Sequence, residues 1–447
     1  FFFVYCFQSI MALAHTQTFN VDHISRLCKG QYGLCLKACT DQDMFDSSRA
    51  TLADIPEDVL LNVADYAWSP SLSAVCSYFW AVLQHRHIYI SCNAEHALRT
   101  LKSDPHVRTL SLRWEAPCPR SLTSLNSFLA LHSLNLDFRG NDWEEGCPHA
   151  LSELRTAPAL RHLNVDLSGC LLQPGDASQP GDVEALAMLG TSPTIETLSL
   201  NLSYTELVGY DCRHLAALKN APRLHSLALN LSSNRLGSAG NVLAALAELA
   251  ELPVLRCLNL DLSGNRLVAG DAKMLANLKQ APHLEDLTLD LSINDLEAGD
   301  AQVLAGLKEA TSLKALTLDL KGNKLGKHDA EALAALRESP ALHTLNVNLS
   351  MNGFGAGDAS ALALLKDSKH LCTLTLNLSG NSLAERDAHA LAKLSESVAL
   401  HTLNLDLSHN KITKNDAVTL SSLWEAPRIH TLALNMCTRR AGARTQA

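Results

Sequence analysis

One column of short polar side chains carries whatever chemistry this sequence can offer. Asp137, Asp166, Asn201, Asn230, Asp261, Asp290, Asp319, Asn348, Asn377, Asp406 and Asn435 recur at near-constant spacing, and every member is Asp or Asn. Asp261, Asp290 and Asp319 follow one another at intervals of 29 residues. If they stand on adjacent strands, three carboxylates lie about 4.8 Å apart per rung, where repulsion raises at least one pKa and invites a cation or a basic partner. A uniform row has no separate acid, base and nucleophile in different environments, which argues against catalysis by these carboxylates. The alternative reading is that a short acceptor suits this position and keeps an open sheet soluble.

Other candidate ligands fall away on spacing. His132, His225, His343, His401 and His430 each sit just before a predicted strand, so their period is that of the chain's own repeat, and they read as solvated turn residues. Cys28, Cys35 and Cys39, with His23 nearby, match no common zinc spacing. No metal site and no cofactor is expected. The thirteen cysteines are scattered from Cys6 to Cys437 without paired clusters, which favours a reducing compartment, cytoplasmic or nuclear. Asn201, Asn230, Asn348 and Asn377 each open an Asn-Leu-Ser triplet at the same point of the repeat, where glycans would fill the inner face. The apolar start, Phe1 to Ile10, precedes Met11 and lacks the positive flank of a secretory signal; upstream or misassigned sequence is the expectation. No apolar run reaches the roughly 18 residues of a membrane span. A net charge of -9 argues against nucleic acid as a partner, and Arg439, Arg440 and Arg444 belong to a basic tail over 437–447.

The elements that must position the row repeat with it. Units begin at Leu131, Leu160, Ile195, Leu224, Leu255, Leu284, Leu313, Leu342, Leu371, Leu400 and Ile429, and eight of the ten intervals are 29 residues. The interval of 35 contains a tandem duplication beginning at Gln173 and Gln179, and the interval of 31 a longer helix before Pro253. A degenerate earlier unit starts at Val107. In Leu400 to Ile412, Leu403, Leu405 and Leu407 alternate with Asn404 and Asp406, the period-two pattern of a strand with one apolar face. Asn410 follows, with equivalents Asn141, Asn234, Asn265, Asn294, Asn323, Asn352 and Asn381, as a stacked ladder bonding free backbone groups. Asp271, Asp300, Asp329, Asp358, Asp387 and Asp416 stand where a helix N-cap is expected. Leu275, Ala276 and Leu278 give that helix its apolar stripe, and Pro222, Pro253, Pro282, Pro340 and Pro427 end it. With 47% apolar residues but only 5% aromatics, the chain stacks small Leu and Ala layers instead of filling one irregular core.

These units resemble leucine-rich repeats of the 28-to-29-residue, helix-containing class typified by ribonuclease inhibitor. The resemblance implies an α/β solenoid over about 93–436, of 11 to 12 units, with a parallel sheet on the concave side and helices on the convex side. Its central concave row would be the Asp/Asn column. Here the Asn comes seven residues after the second Leu instead of five, because of a pair such as Asp406-Leu407, so longer strands and a broader inner sheet are expected.

Residues 1–50 show no periodicity. Beyond Thr51, Pro56 opens a short helix with Val59, Leu60 and Val63 on one face, and Leu72, Val75, Cys76 and Phe79 mark a second. This segment, 51–92, resembles an F-box, which would imply that Pro56, Leu60, Val75 and Phe79 contact a cullin-RING adaptor. The chain would then be a substrate receptor of a ubiquitin ligase, holding a protein target on its concave face. The alternative is an adaptor-free scaffold or inhibitor whose N-terminal helices only cap the solenoid.

Overall fold

A strand of alternating Leu and polar residues has an apolar face to bury and unpaired backbone groups along both edges, and neighbouring copies satisfy both needs. The computed structural model describes residues 87–90, 106–114, 120–141, 147–173, 181–238 and 242–437. They form thirteen parallel strands hydrogen-bonded in chain order: β1 His87–Ile90, β2 Thr109–Arg113, β3 Ser133–Asp137, β4 His162–Asp166, β5 Thr197–Asn201, β6 Ser226–Asn230, β7 Cys257–Asp261, β8 Asp286–Asp290, β9 Ala315–Asp319, β10 Thr344–Asn348, β11 Thr373–Asn377, β12 Thr402–Asp406 and β13 Thr431–Asn435. This is the solenoid, a parallel sheet with helical connections, that the resemblance to leucine-rich repeats implies. The sheet starts earlier than the sequence period indicates, since Ile88 pairs with Leu110 and Ile90 with Leu112. Residues 1–86, among them Pro56, Leu60, Val75 and Phe79, lie outside the described residues.

Register is constant: Leu403 faces Leu374 and Leu432, and Asp406 faces Asn377 and Asn435. In β2 to β12 the second and fourth residues of the strand are buried against the helix layer, as at Leu316 and Leu318, while the third and fifth lie on the open face. The helix layer is tighter than expected. Short α segments such as Asp300–Leu304 and Lys327–Leu333 run into 3-10 turns such as Ala305–Glu309, and Asp271–Gln280 and Ser360–Asp367 are 3-10 throughout. Ala272, Ala301, Ala330, Ala359 and Ala388 are fully buried at one position of this layer, where a larger side chain would hold it off the sheet.

The longer strands do not appear. Apart from the four-residue β1, each described strand has five residues and ends on its Asp or Asn, except β2, which ends on Arg113. The ladder nevertheless continues beyond them: the Leu378 N–H donates to the Asp406 carbonyl at 2.8 Å, and the Gly380 N–H to the Ser408 carbonyl at 2.9 Å. The added pair therefore lengthens the hydrogen-bonded stack while the chain is already turning away.

The Asn ladder is present. Asn323 Nδ2 donates to the Leu291 carbonyl of the preceding repeat at 3.0 Å and to its own Leu320 carbonyl at 2.9 Å, and its Oδ1 accepts the Leu296 N–H at 3.2 Å. Asn294, Asn352, Asn381 and Asn410 bond their predecessors' Leu carbonyls likewise. Cys170 and Thr205 hold the position in two repeats, the thiol donating to the Phe138 carbonyl and the hydroxyl to Leu202. In the 31-residue interval, Leu236–Ser238 winds into a 3-10 turn, and the buried Asn265 Oδ1 finds no partner. Gly237 is obligatory there, because an added Cβ would lie 2.0 Å from the Arg266 carbonyl oxygen.

The Asp residues of the helix layer are not N-caps. Asp329, Asp387 and Asp416 are the third helical residue and reach back to the N-cap N–H of Gly326, Ala384 and Thr413. A carboxylate has acceptors to spare, and Asp329 Oδ1 also takes the Gly299 and Ala301 N–H groups of the preceding repeat at 2.9 and 3.1 Å. Asp387 does the same for Gly357 and Ala359. This second cross-repeat ladder explains why Asp329 and Asp387 are fully buried.

Removing one rung of either ladder strands backbone groups in two repeats. Asn323→Ala should cost on the order of 3 kcal/mol, since each buried group left unpaired costs about 1–3 kcal/mol, and Leu316→Ala about 2–5 kcal/mol. Thermal unfolding followed by circular dichroism should show each variant melting earlier; a melting curve identical to wild type would refute the stacking account.

Candidate functional site

The Asp/Asn row lies at the C-terminal ends of the strands, as the fifth residue of β3 to β13, and not along the middle of the face. The middle position holds Asn135, Asn164, Ser199, Ala228, Asn259, Thr288, Thr317, Asn346, Thr375, Asn404 and Ala433. The reason is a turn. Each row side chain accepts the backbone N–H two residues on: Ser168 to Asp166, Ser203 to Asn201, Ser232 to Asn230, Ser263 to Asp261, Ser292 to Asp290, Lys321 to Asp319, Ser350 to Asn348, Ser379 to Asn377 and Ser408 to Asp406, all at 2.9–3.2 Å. Only Asp and Asn place a carbonyl-type oxygen there with so short an arm.

One oxygen thus belongs to the fold, and the other atom of the head group is left for further contacts. Where an Asn follows an Asp, the two connect: Asn348 Nδ2 donates to Asp319 Oδ2 at 2.9 Å, and Asn435 Nδ2 to Asp406 Oδ2 at 3.1 Å. At the N-terminal end the charge is met by arginine. Arg139 lies 2.7 Å from Asp137 and 3.7 Å from Asp166, and its hydrogen bond holds the Asp137 carboxyl below the ordinary range.

Mid-array the situation is different. Asp261, Asp290 and Asp319 face one another across β7, β8 and β9, and among the described residues none has a cation within ion-pair distance. Burial pushes the Asp290 carboxyl above its ordinary range, and the charges of Asp319 and Asp261 add to the rise. The expected repulsion is therefore present but second to desolvation. On the helix side, by contrast, Lys219–Glu248, Lys279–Glu309 and Lys308–Glu338 pair charges across successive repeats at 2.8, 2.6 and 2.5 Å.

The sequence reading missed the third-position contacts on the open face. Asn135, Asn346 and Asn404 donate to Ser111, Thr317 and Thr375 of the preceding strand at 3.0, 3.1 and 3.3 Å. Asn opposite Ser or Thr in a fixed register is the signal that could have found them.

The histidines remain a rim feature, with ring centroids 5.6 Å apart at His401 and His430 and 6.4 Å at His343 and His370. Among the described residues one trio, Glu385, His389 and Asp416, brings potential metal ligands within 4.8 Å of one another. It lies in the helix layer, apart from the row, and Asp416 Oδ2 is occupied by the Thr413 N–H and hydroxyl at 2.7 and 2.8 Å. Burial pushes the Cys212 and Cys170 thiols up, away from the thiolate that reactivity requires.

No known family pattern matches this chain, and no curated protein matches it. Among solved structures, an internalin (inlF) from Listeria monocytogenes is similar at 18% identity, covering 77% of this chain and 83% of that one with a TM-score of 0.45. An internalin C2 from the same organism is similar at 22% identity over 58% of this chain and 87% of that one, with a TM-score of 0.34.

The raised Asp290 pKa fixes the sign of a pH effect. A carboxyl whose folded pKa lies above its unfolded value of about 4 adds stability that is complete below that value and is lost as pH rises through the folded pKa. Asp290→Asn keeps the turn acceptor and removes the titration, so its melting temperature should fall less than that of wild type between about pH 4 and 7. Asp290→Ala loses the acceptor for Ser292 and should be less stable than the Asn variant by about 1 kcal/mol at neutral pH. Equal melting of the two variants would show that the turn bond contributes nothing.

Proposed function

We propose that this chain is a non-catalytic protein-interaction module that binds a basic protein along the open, concave face of its sheet. The observation that carries the reading is the uncompensated run of Asp261, Asp290 and Asp319 at the strand ends, in a molecule whose helix layer pairs Lys219 with Glu248, Lys279 with Glu309 and Lys308 with Glu338 from repeat to repeat. A partly buried carboxyl beside two others is costly to ionise, and a lysine or arginine from a partner removes that cost on binding. Asp166, Asn201 and Asn230 on one side and Asn348, Asn377 and Asp406 on the other extend the row with head groups that can accept or donate. Asp137, already met by Arg139, closes it.

For the chain as a whole we propose the role of substrate receptor in a cullin-RING ubiquitin ligase, with Pro56, Leu60, Val75 and Phe79 engaging the adaptor and the repeats engaging the target, in the cytoplasm or nucleus. The Ile55-Pro56-Glu57 opening, the apolar Val59, Leu60 and Val63, and the Val75-Cys76 pair followed by Phe79 support this reading. The interaction needs no chemistry from the chain itself: each carboxylate of the run is tied through one oxygen to its own turn.

Two experiments divide the reading. Replacing Asp261, Asp290 and Asp319 together by Asn should leave the fold intact, because Asn already makes the same turn bond at Asn230 and Asn348. The same change should abolish salt-sensitive binding to a basic protein such as histone H1; an unchanged dissociation constant would dispose of the acidic row. Separately, the full chain should co-purify with the cullin adaptor, and Leu60→Ala with Val75→Ala should break that association by at least tenfold. Retention of the adaptor by the double variant would end the receptor role while leaving the row's binding untouched.

A further inference from the structure

Asp416 departs from the helix-layer ladder. Its Oδ2 accepts the Thr413 N–H and hydroxyl at 2.7 and 2.8 Å. Its Oδ1 accepts nothing among the described residues, whereas Asp329 Oδ1 takes the Ala301 N–H at 3.1 Å and Asp387 Oδ1 the Ala359 N–H at 3.0 Å. The matching donor for Asp416 is the Ala388 N–H, and it is turned instead to the Ala384 carbonyl at 3.2 Å, inside the helix Glu385–Ala392. Asp416 is only 3% exposed, and a carboxylate oxygen in such a place is costly to leave without a donor or a cation.

Two exposed side chains stand beside it. Glu385 and His389 lie one turn apart on the same face of their helix, and one ligand atom from each of Glu385, His389 and Asp416 falls within 4.8 Å of the others. His389 Nδ1 is 3.0 Å from the Glu385 carbonyl oxygen. A carbonyl can only accept, so Nδ1 carries the proton and Nε2 keeps the lone pair, the arrangement usual for a metal-binding histidine. Asp416 is oriented from behind in the same way, by Thr413.

The array contains its own comparison. Two repeats earlier the same three positions hold Lys327, Glu331 and Asp358, and the Lys327 ammonium lies 3.5 Å from the Glu331 carboxylate. There a lysine supplies the positive charge. At Glu385 and His389 it is replaced by donors alone, and no lysine or arginine among the described residues forms an ion pair with Glu385 or Asp416.

We propose that Glu385, His389 and Asp416 bind a divalent transition metal of the zinc type, through the Glu385 carboxylate, His389 Nε2 and Asp416 Oδ1, with water in the fourth position. Two carboxylates balance the charge of the ion, and the imidazole favours a transition metal over magnesium or calcium. Donors about 2.0 Å from a tetrahedral zinc lie about 3.3 Å from one another, so small rotations of the two exposed side chains close the site on Asp416. The ion ties the helix Glu385–Ala392 to the helix Lys414–Leu420 of the next repeat, away from the acidic row and independently of what that row binds.

The test titrates the full chain, freed of metal by chelation, with cobalt(II), whose absorption distinguishes oxygen and nitrogen ligands from thiolates, and then displaces the cobalt with zinc. Wild type should take up one cobalt whose spectrum lacks thiolate charge transfer, and zinc should raise its melting temperature. His389→Gln and Glu385→Gln, both at exposed positions, should each weaken that uptake at least tenfold and lose the zinc-dependent rise in melting. Glu385→Lys with His389→Glu, which copies the pairing of Lys327 and Glu331, should bind no cobalt at this site while melting without metal no earlier than wild type. Uptake unchanged in all three variants, a spectrum of thiolate ligation alone, magnesium bound as tightly as zinc, or no uptake at all overturns the site.

Discussion

A coil of about 29 residues cannot satisfy its own backbone, and every other feature of this molecule depends on how its neighbours complete it. Each strand presents N–H and C=O groups to both sides, and each connecting turn buries more of them. Three polar ladders run through the stack in answer. Asn at the inner turn bonds the carbonyl of the preceding repeat, Asp at the helix layer takes that repeat's N–H groups, and Asp or Asn at the strand end closes its own turn. The leucines supply the burial, but an apolar spine alone would fix neither the register nor the spacing of what faces solvent.

The third ladder is where the scaffold and the proposed binding row share atoms. One oxygen of Asp290 is held by the Ser292 N–H, which fixes where the other oxygen points. The same arrangement at Asp261 and Asp319 gives a row whose pitch is set by backbone hydrogen bonding and not by the side chains' own preferences. This suits recognition over an extended surface.

The strand period, the apolar faces and the Asn ladder were legible because each leaves a mark at constant spacing: Leu403 and Leu405 recur as Leu or Val in every unit, and Asn410 has seven equivalents. Position within the element was less so. The row was expected mid-face, since a period of two identifies which side a residue faces but not where hydrogen bonding yields to a turn. The helix-layer aspartates looked like caps because sequence cannot distinguish a residue that begins a helix from one three places in that reaches back. The repeat-to-repeat role of Asp329 and Asp387 depends on a neighbour 28 to 30 residues earlier.

The central claim is that strand-end positions are locked by bonds between repeats. Hydrogen exchange tests it residue by residue. The N–H groups of Leu262, Leu291 and Leu320 donate to the Asp290, Asp319 and Asn348 carbonyls of the following strands at 2.8–2.9 Å. They should exchange among the slowest in the molecule and at one common rate, as members of a single cooperative stack. Fast exchange at these three, or rates that differ from repeat to repeat, would mean that the row is not held by the lattice described, and the account of what it presents to a partner would fall with it.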